Sequence, residues 1–122
     1  SDRHDLKAGL LHRPEGAARP VTLILGILAD KDVAGMVEAL RVAPVLREAR
    51  VLTTSVPDSP RTLDPQALAD LWGAAARPTA SADEALEQGL EHAADDGGLL
   101  VVAGSLYLVG HARGRLTGGV VP

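Results

Sequence analysis

Three short, unbroken runs of aliphatic and β-branched residues constrain the fold of this chain most. They are Val21–Leu25, Val51–Thr54 and Leu99–Ala103. Runs without polar alternation are typical of strands that are buried on both faces, as in a parallel sheet covered by helices. Segments with helical periodicity separate the runs, which gives a strand–helix–strand rhythm with right-handed crossovers. The sequence therefore predicts an α/β fold with a mostly parallel sheet flanked by helices.

Three helices are predicted between these strands. The segment Asp32–Leu46 carries one apolar stripe, and Pro44 should end or kink that helix. A second helix should begin at Asp64-Pro65, where a capping side chain precedes a proline at the first helical position. A capping box, Ser81–Glu84, starts the third helix, and Gly97-Gly98 should end it. The apolar stripes of these helices comprise Val33, Met36, Val37 and Leu40; Leu68, Leu71 and Trp72; and Ala85, Leu86, Leu90 and Ala93.

Two further elements are expected near these helices. Arg77–Ala80 could add a short strand, although Pro78 removes one donor from the ladder. Residues 104–116 could form a last helix, which Gly110 and Gly114 would weaken.

Composition excludes several classes of protein. The 122 residues include no Cys, so neither disulfides nor thiol chemistry are expected. A net charge of −4 and an aromatic content of 2% argue against nucleic acid as a partner. No apolar run approaches the roughly 20 residues of a membrane span, and the first residues are polar rather than a signal sequence. We expect one cytoplasmic domain with a single core and no membrane contact.

Candidate binding residues follow each apolar run, because ligands of a parallel sheet bind beyond the carboxyl ends of its strands. After the first run, Lys31 stands between Asp30 and Asp32 at a helix start and could meet a phosphate or a carboxylate. The alternative is that one of the two aspartates caps the helix and Lys31 is solvated. After the second run, Arg61 could clamp a carboxylate or phosphate, or simply end a rigid, solvated turn.

Ser105 and Tyr107 follow the third run. Ser105 stands where the strand turns into a helix, so its hydroxyl could serve a ligand or only cap that helix. Tyr107 could likewise serve a ligand or only pack. The segment lacks the G-x-S-x-G pattern of a nucleophile elbow.

Several other sites are not supported. Neither the dinucleotide fingerprint nor the phosphate-loop pattern G-x-x-x-x-G-K-[ST] occurs. The four histidines lack zinc-site spacing, which favours solvated or capping roles, and no metal ligand is predicted. Asp95-Asp96 precedes two glycines and is interpreted as a turn rather than a magnesium site.

Three segments together resemble one family. VTLILGILADKD at residues 21–32 is similar to that family's G-x-L-A-D-K-D strand end, and LTTSVPDSPR at 52–61 is similar to its L-T-T-x-x-P-R segment. GSLYLVG at 104–110 resembles the family's last motif, with Arg113 and Leu116 continuing the pattern. The family is bacterial folylpolyglutamate synthase, or dihydrofolate synthase, in the Mur ligase group. The resemblance is to its carboxy-terminal domain and spans residues 20–116.

The resemblance implies a single Rossmann-like domain, residues 1–122, that closes over an amino-terminal ATP-binding domain which this chain lacks. The family's chemistry, in folate biosynthesis and one-carbon metabolism, is ATP- and magnesium-dependent. It adds L-glutamate to dihydropteroate or tetrahydrofolyl-polyglutamate through an acyl phosphate. Ser105 and Tyr107 would then bind substrate, with Asp30 and Lys31 on the same rim. Arg61 is also predicted to bind substrate. No catalytic residue is assigned.

The resemblance also has a departure and two alternatives. The family's Asp-Gly-Ala-His-Asn-Pro loop has no counterpart, so Asp2 and His4 receive no role. Without a phosphate loop, the isolated chain should have no ligase activity. The alternatives are a non-enzymatic α/β binding module and the carboxy-terminal domain of a cell-wall Mur ligase.

Overall fold

Four parallel strands form the sheet, in the order β3-β2-β1-β4. The computed structural model describes residues 20–116. Its strands are β1 (Val21–Gly26), β2 (Arg50–Thr53), β3 (Ala76–Pro78) and β4 (Leu99–Gly104). β1 pairs with β4 along its whole length and with β2 on its other side. The three predicted runs are therefore confirmed as neighbouring parallel strands.

Helices cover both faces of this sheet. They are α1 (Val33–Arg41), α2 (Pro65–Trp72), α3 (Ala82–Asp96) and α4 (Leu106–Leu116), with a short 3-10 turn at Pro44–Leu46. Alternate strand residues point to opposite faces, so Leu23 and Leu25 pack on the α1 and α2 side, whereas Ile24 packs with α3 and α4. The predicted α/β architecture, a single domain with a parallel sheet between helices, is confirmed. None of the described helices is long and apolar enough to cross a membrane.

The predicted helix starts are confirmed by their caps. The carboxylates of Asp32 and Asp64 accept hydrogen bonds from the N–H groups of Gly35 and Ala67, both at 3.2 Å. Ser81 Oγ accepts from the N–H of Glu84 at 3.1 Å. These bonds satisfy donors that have no partner inside a helix.

Some predicted details are wrong. The end of the first helix is not among them, because the helix ends at Arg41, shortly before Pro44, and Pro44 begins the 3-10 turn. Leu71, predicted in an apolar stripe, and Leu90, predicted on an inward face, are 47% and 45% exposed. Gly89 replaces Leu90 on the inner face of α3, where an added Cβ would stand 2.8 Å from Leu100 Cδ1. The helix backbone therefore approaches the sheet too closely for a larger side chain at that position.

Asp95 and Asp96 also differ from expectation, because they form the last residues of α3 rather than a turn. Asp96 forms an ion pair with Arg50, the first residue of β2, and Asp96 Oδ2 lies 3.4 Å from Arg50 Nη1. The short strand near Pro78 is confirmed as β3, and its place at the sheet edge tolerates the missing donor.

Candidate functional site

An open cleft of about 640 Å³ lies at the carboxyl end of the sheet. It is lined by Leu28, Asp30 and Lys31 after β1, by Asp58, Ser59, Pro60 and Arg61 after β2, and by Tyr107 at the start of α4. Three chain segments that follow neighbouring strands thus meet at one place. This is the position where open parallel sheets bind ligands.

Backbone hydrogen bonds join the first two segments. Leu28 and Thr62 form an isolated antiparallel bridge. Beside it, the N–H of Ala29 donates to the carbonyl of Arg61 at 2.7 Å, and the N–H of Leu63 donates to the carbonyl of Ile27 at 2.9 Å. The floor of the cleft is therefore a small backbone ladder whose position does not depend on flexible side chains.

Arg61 reaches across this ladder to Asp30. Arg61 Nη1 lies 3.2 Å from Asp30 Oδ2. The two side chains are 73% and 46% exposed, so water screens the pair and it adds little to stability. Its main effect is geometric, because one guanidinium nitrogen is held by Asp30 while the other donors remain available to a ligand.

Lys31 is exposed at the rim, just before α1. Asp32 caps that helix and Asp30 does not. The predicted alternative, in which one of the two aspartates is a cap, is therefore confirmed for Asp32. Within residues 20–116 no ion pair involves Lys31. Its ammonium group is therefore available to an acidic ligand.

Ser105 and Tyr107 hold different positions. Ser105 Oγ accepts a hydrogen bond from the N–H of Tyr107 at 3.2 Å, which makes it the cap of α4. It does not line the cleft, whereas Tyr107 lines it and is 70% exposed. Tyr107 therefore does not serve as core packing.

Asp58 and Ser59 are two further polar residues that line the cleft, and no sequence pattern predicted a ligand role for them. Asp58 adopts a left-handed φ of 58°, a conformation that Asp tolerates better than most residues. The sequence Pro-Asp-Ser-Pro predicts a turn at these residues. It does not predict that the side chains of Asp58 and Ser59 line the cleft. With Asp58, the cleft carries two acidic and two basic side chains.

The described residues do not fit a resident divalent cation. No group of three or more His, Asp or Glu side chains in residues 20–116 is arranged to hold a metal ion. His4, His12 and Asp2 lie outside the described residues. The sequence predicts solvated or capping histidines, whereas His111 is half-buried and hydrogen-bonds the Asp83 side chain.

Comparisons with known proteins give one consistent result. The chain is 37% identical, over 111 residues, to folylpolyglutamate synthase of Lacticaseibacillus casei, which covers 84% of this chain. It spans only 22% of that relative's length. No family model matches the chain.

Solved structures agree. Mycobacterium tuberculosis folylpolyglutamate synthase complexed with ADP and AMPPCP superposes with a TM-score of 0.63 at 25% identity, covering 87% of this chain and 25% of that one. Yersinia pestis bifunctional folylpolyglutamate synthase/dihydrofolate synthase, complexed with AMPPNP and Mn, gives a TM-score of 0.66 at 24% identity. That match covers 80% of this chain and 22% of that one. The chain is thus a homologue of the carboxy-terminal domain of folylpolyglutamate synthase, a ligase family.

Proposed function

We propose that this chain is the carboxy-terminal domain, residues 1–122, of a cytoplasmic ATP-dependent ligase that adds L-glutamate to dihydropteroate or to tetrahydrofolyl-polyglutamate. The observation that carries the proposal is the cleft, where Lys31, Arg61 and Tyr107 come together from three separate segments. Homology to folylpolyglutamate synthase supports it. The proposed partner is an amino-terminal ATP-binding domain of the same enzyme, which would carry the phosphate loop.

In the proposed reaction, ATP phosphorylates the carboxylate of the pteroate or folyl substrate and ADP leaves. The amino group of glutamate then attacks the acyl phosphate, a C–N bond forms, inorganic phosphate departs, and the nitrogen loses a proton. ATP and magnesium would be bound mainly by the other domain, since the described residues hold no metal cluster. No step of the metal chemistry is assigned to this chain.

The role of this domain is to bind and orient. A glutamate substrate carries carboxylates, and Arg61 and Lys31 supply the donors that recognise such groups. Asp30 fixes Arg61 by their 3.2 Å contact and belongs to the same binding surface. Tyr107 is exposed and lines the cleft, so its hydroxyl would hydrogen-bond glutamate or the acyl phosphate.

Ser105 would assist from the start of α4. Its Oγ accepts the Tyr107 N–H, yet a hydroxyl keeps its own O–H to donate. Ser105 does not line the cleft itself, so this hydrogen bond is proposed to a substrate that extends beyond Tyr107 to the start of α4.

Steady-state kinetics of the complete ligase test this assignment. Arg61→Met should raise the KM for glutamate about 10- to 150-fold, since a charge-assisted hydrogen bond contributes about 1.5–3 kcal/mol. Arg47→Met is a matched control, because Arg47 is an exposed arginine outside the cleft. Equal kinetic constants for the two variants would remove Arg61 from the binding site.

A further inference from the structure

A cluster of three charged or titratable side chains joins α3 to α4, outside the cleft. Asp83, in the first turn of α3, lies 2.7 Å from His111 through Oδ1 and Nε2. The same oxygen lies 3.5 Å from Arg115 Nε. A carboxylate can only accept, so His111 Nε2 donates this hydrogen bond. The bond lowers the pKa of Asp83, with a smaller contribution from the nearby Arg115 charge.

α4 packs on the sheet through a short apolar stripe. Among the α4 residues whose side chains are described, only Leu108, Val109 and Ala112 are buried. Gly110 lies within the helix and adds no side chain, and an added Cβ there would meet no atom within 4 Å. Polar contacts outside this apolar stripe add to the restraint on the rotation of the helix about its own axis. Asp83 supplies two such contacts from a separate element.

The rotation of α4 matters for the cleft. Tyr107 precedes His111 by four residues, so the two side chains lie one turn apart on the same face of the helix. A rotation that moves His111 therefore moves Tyr107 in the same direction. Tyr107 is also the contribution of α4 to the cleft lining.

We infer that Asp83 is a positioning residue, which holds His111 and Arg115 and thereby sets where the ring of Tyr107 stands in the cleft. The position of the Tyr107 ring is inferred from the contacts of Asp83 with His111 and Arg115. The effect of that position on glutamate binding rests on the proposed function.

The composition of the chain offers two reporters for a test. Tyr107 is the only tyrosine and Trp72 the only tryptophan. Trp72 is buried in the core on the other face of the sheet. In NMR spectra of the 122-residue chain, the Tyr107 ring signals therefore report on α4, and the Trp72 indole signal reports on the fold.

Asp83→Ala should shift the Tyr107 ring signals and leave the Trp72 signal in place. Asp96→Ala is the matched control, because Asp96 is also an ion-paired acid of α3 but contacts Arg50 at the other end. It should move neither signal. An unmoved Tyr107 ring in a folded Asp83→Ala variant would overturn the inference.

A second pair of variants decides the question if Asp83→Ala loses its fold. His111→Gln keeps an N–H donor for Asp83, whereas His111→Ala removes it. Both lack the imidazole ring, so any difference between their Tyr107 signals reports the contact with Asp83 rather than the loss of a neighbouring ring. His111→Gln should lie nearer the wild-type signal, and identical signals for both variants would overturn the inference.

Kinetics of the complete ligase separate this inference from the proposed function. Asp83→Ala should raise the KM for glutamate about 3- to 10-fold with kcat nearly unchanged, the pattern of lost ground-state binding. A shifted Tyr107 ring together with an unchanged KM would contradict the proposed use of the cleft and would support the positioning by Asp83.

Discussion

The carbonyl oxygen of Gly26 accepts a hydrogen bond from the N–H of Ser105 at 2.9 Å, which joins the last residue of β1 to the first residue after β4. Gly104 makes this approach possible. Its φ is 114°, and a Cβ at that position would collide with the Gly26 carbonyl. The close contact brings the segment after β1 and the start of α4 to the same cleft.

Gly104→Ala should therefore destabilise the fold by about 2 kcal/mol or more, because it combines a disfavoured backbone conformation with a steric collision. The free energy of unfolding from urea titration measures this effect. A loss below about 0.5 kcal/mol, the range of ordinary surface substitutions, would contradict the described junction of β1 and β4.

Gly110→Ala should have the opposite sign. Gly110 lies inside α4, and an added Cβ would meet no atom within 4 Å. The substitution removes the conformational entropy penalty of glycine in a helix and should stabilise the chain by about 0.5–1 kcal/mol. A decrease in the urea midpoint would show that residue 110 is not in an open helical position.

Ser105→Ala and Tyr107→Phe should differ in stability but not in kinetics. Loss of the cap at Ser105 should cost about 1 kcal/mol, whereas Tyr107 is so exposed that its hydroxyl should contribute little to folding. In the complete ligase, each variant should lower kcat/KM about 10- to 100-fold, which corresponds to about 1.4–2.7 kcal/mol of transition-state interaction. A lowered thermal midpoint with unchanged kinetic constants would leave Ser105 as a cap alone.

Acid should weaken the contact between α3 and α4. The hydrogen bond from His111 holds the pKa of Asp83 below its ordinary value of 3.8. A lowered pKa in the folded state means that the stabilisation is present above the ordinary pKa and is lost as the pH falls through the lowered one. The thermal midpoint of wild type should exceed that of Asp83→Asn at neutral pH, and the difference should vanish below the lowered pKa. A difference that grows in acid would contradict this assignment.

Local signals predicted much of the fold. Buried strands with no polar alternation, and caps at Asp32, Asp64 and Ser81, are properties of a few neighbouring residues, and the structure confirms them. Helical periodicity failed at Leu90, because the inner face of α3 depends on how closely that helix approaches the sheet.

Local sequence patterns also predict only part of the cleft. Position after a strand was enough to predict that Asp30, Lys31, Arg61 and Tyr107 would lie near one edge of the sheet, and all four line the cleft. The Asp30–Arg61 pair and the Asp83–His111 contact join residues about 30 positions apart. No periodicity or local motif encodes such pairs, because they arise only when separate elements pack.

The most direct test of the account is the formation of ADP by the isolated chain and by the same chain joined to the amino-terminal part of the Lacticaseibacillus casei relative. Both would be given ATP, magnesium, dihydropteroate and glutamate. We predict no ADP from the isolated chain, and ADP formation that depends on glutamate from the joined protein. Glutamate-dependent ADP formation by the 122 residues alone would contradict it, as would a folded, ATP-binding joined protein that shows no response to glutamate.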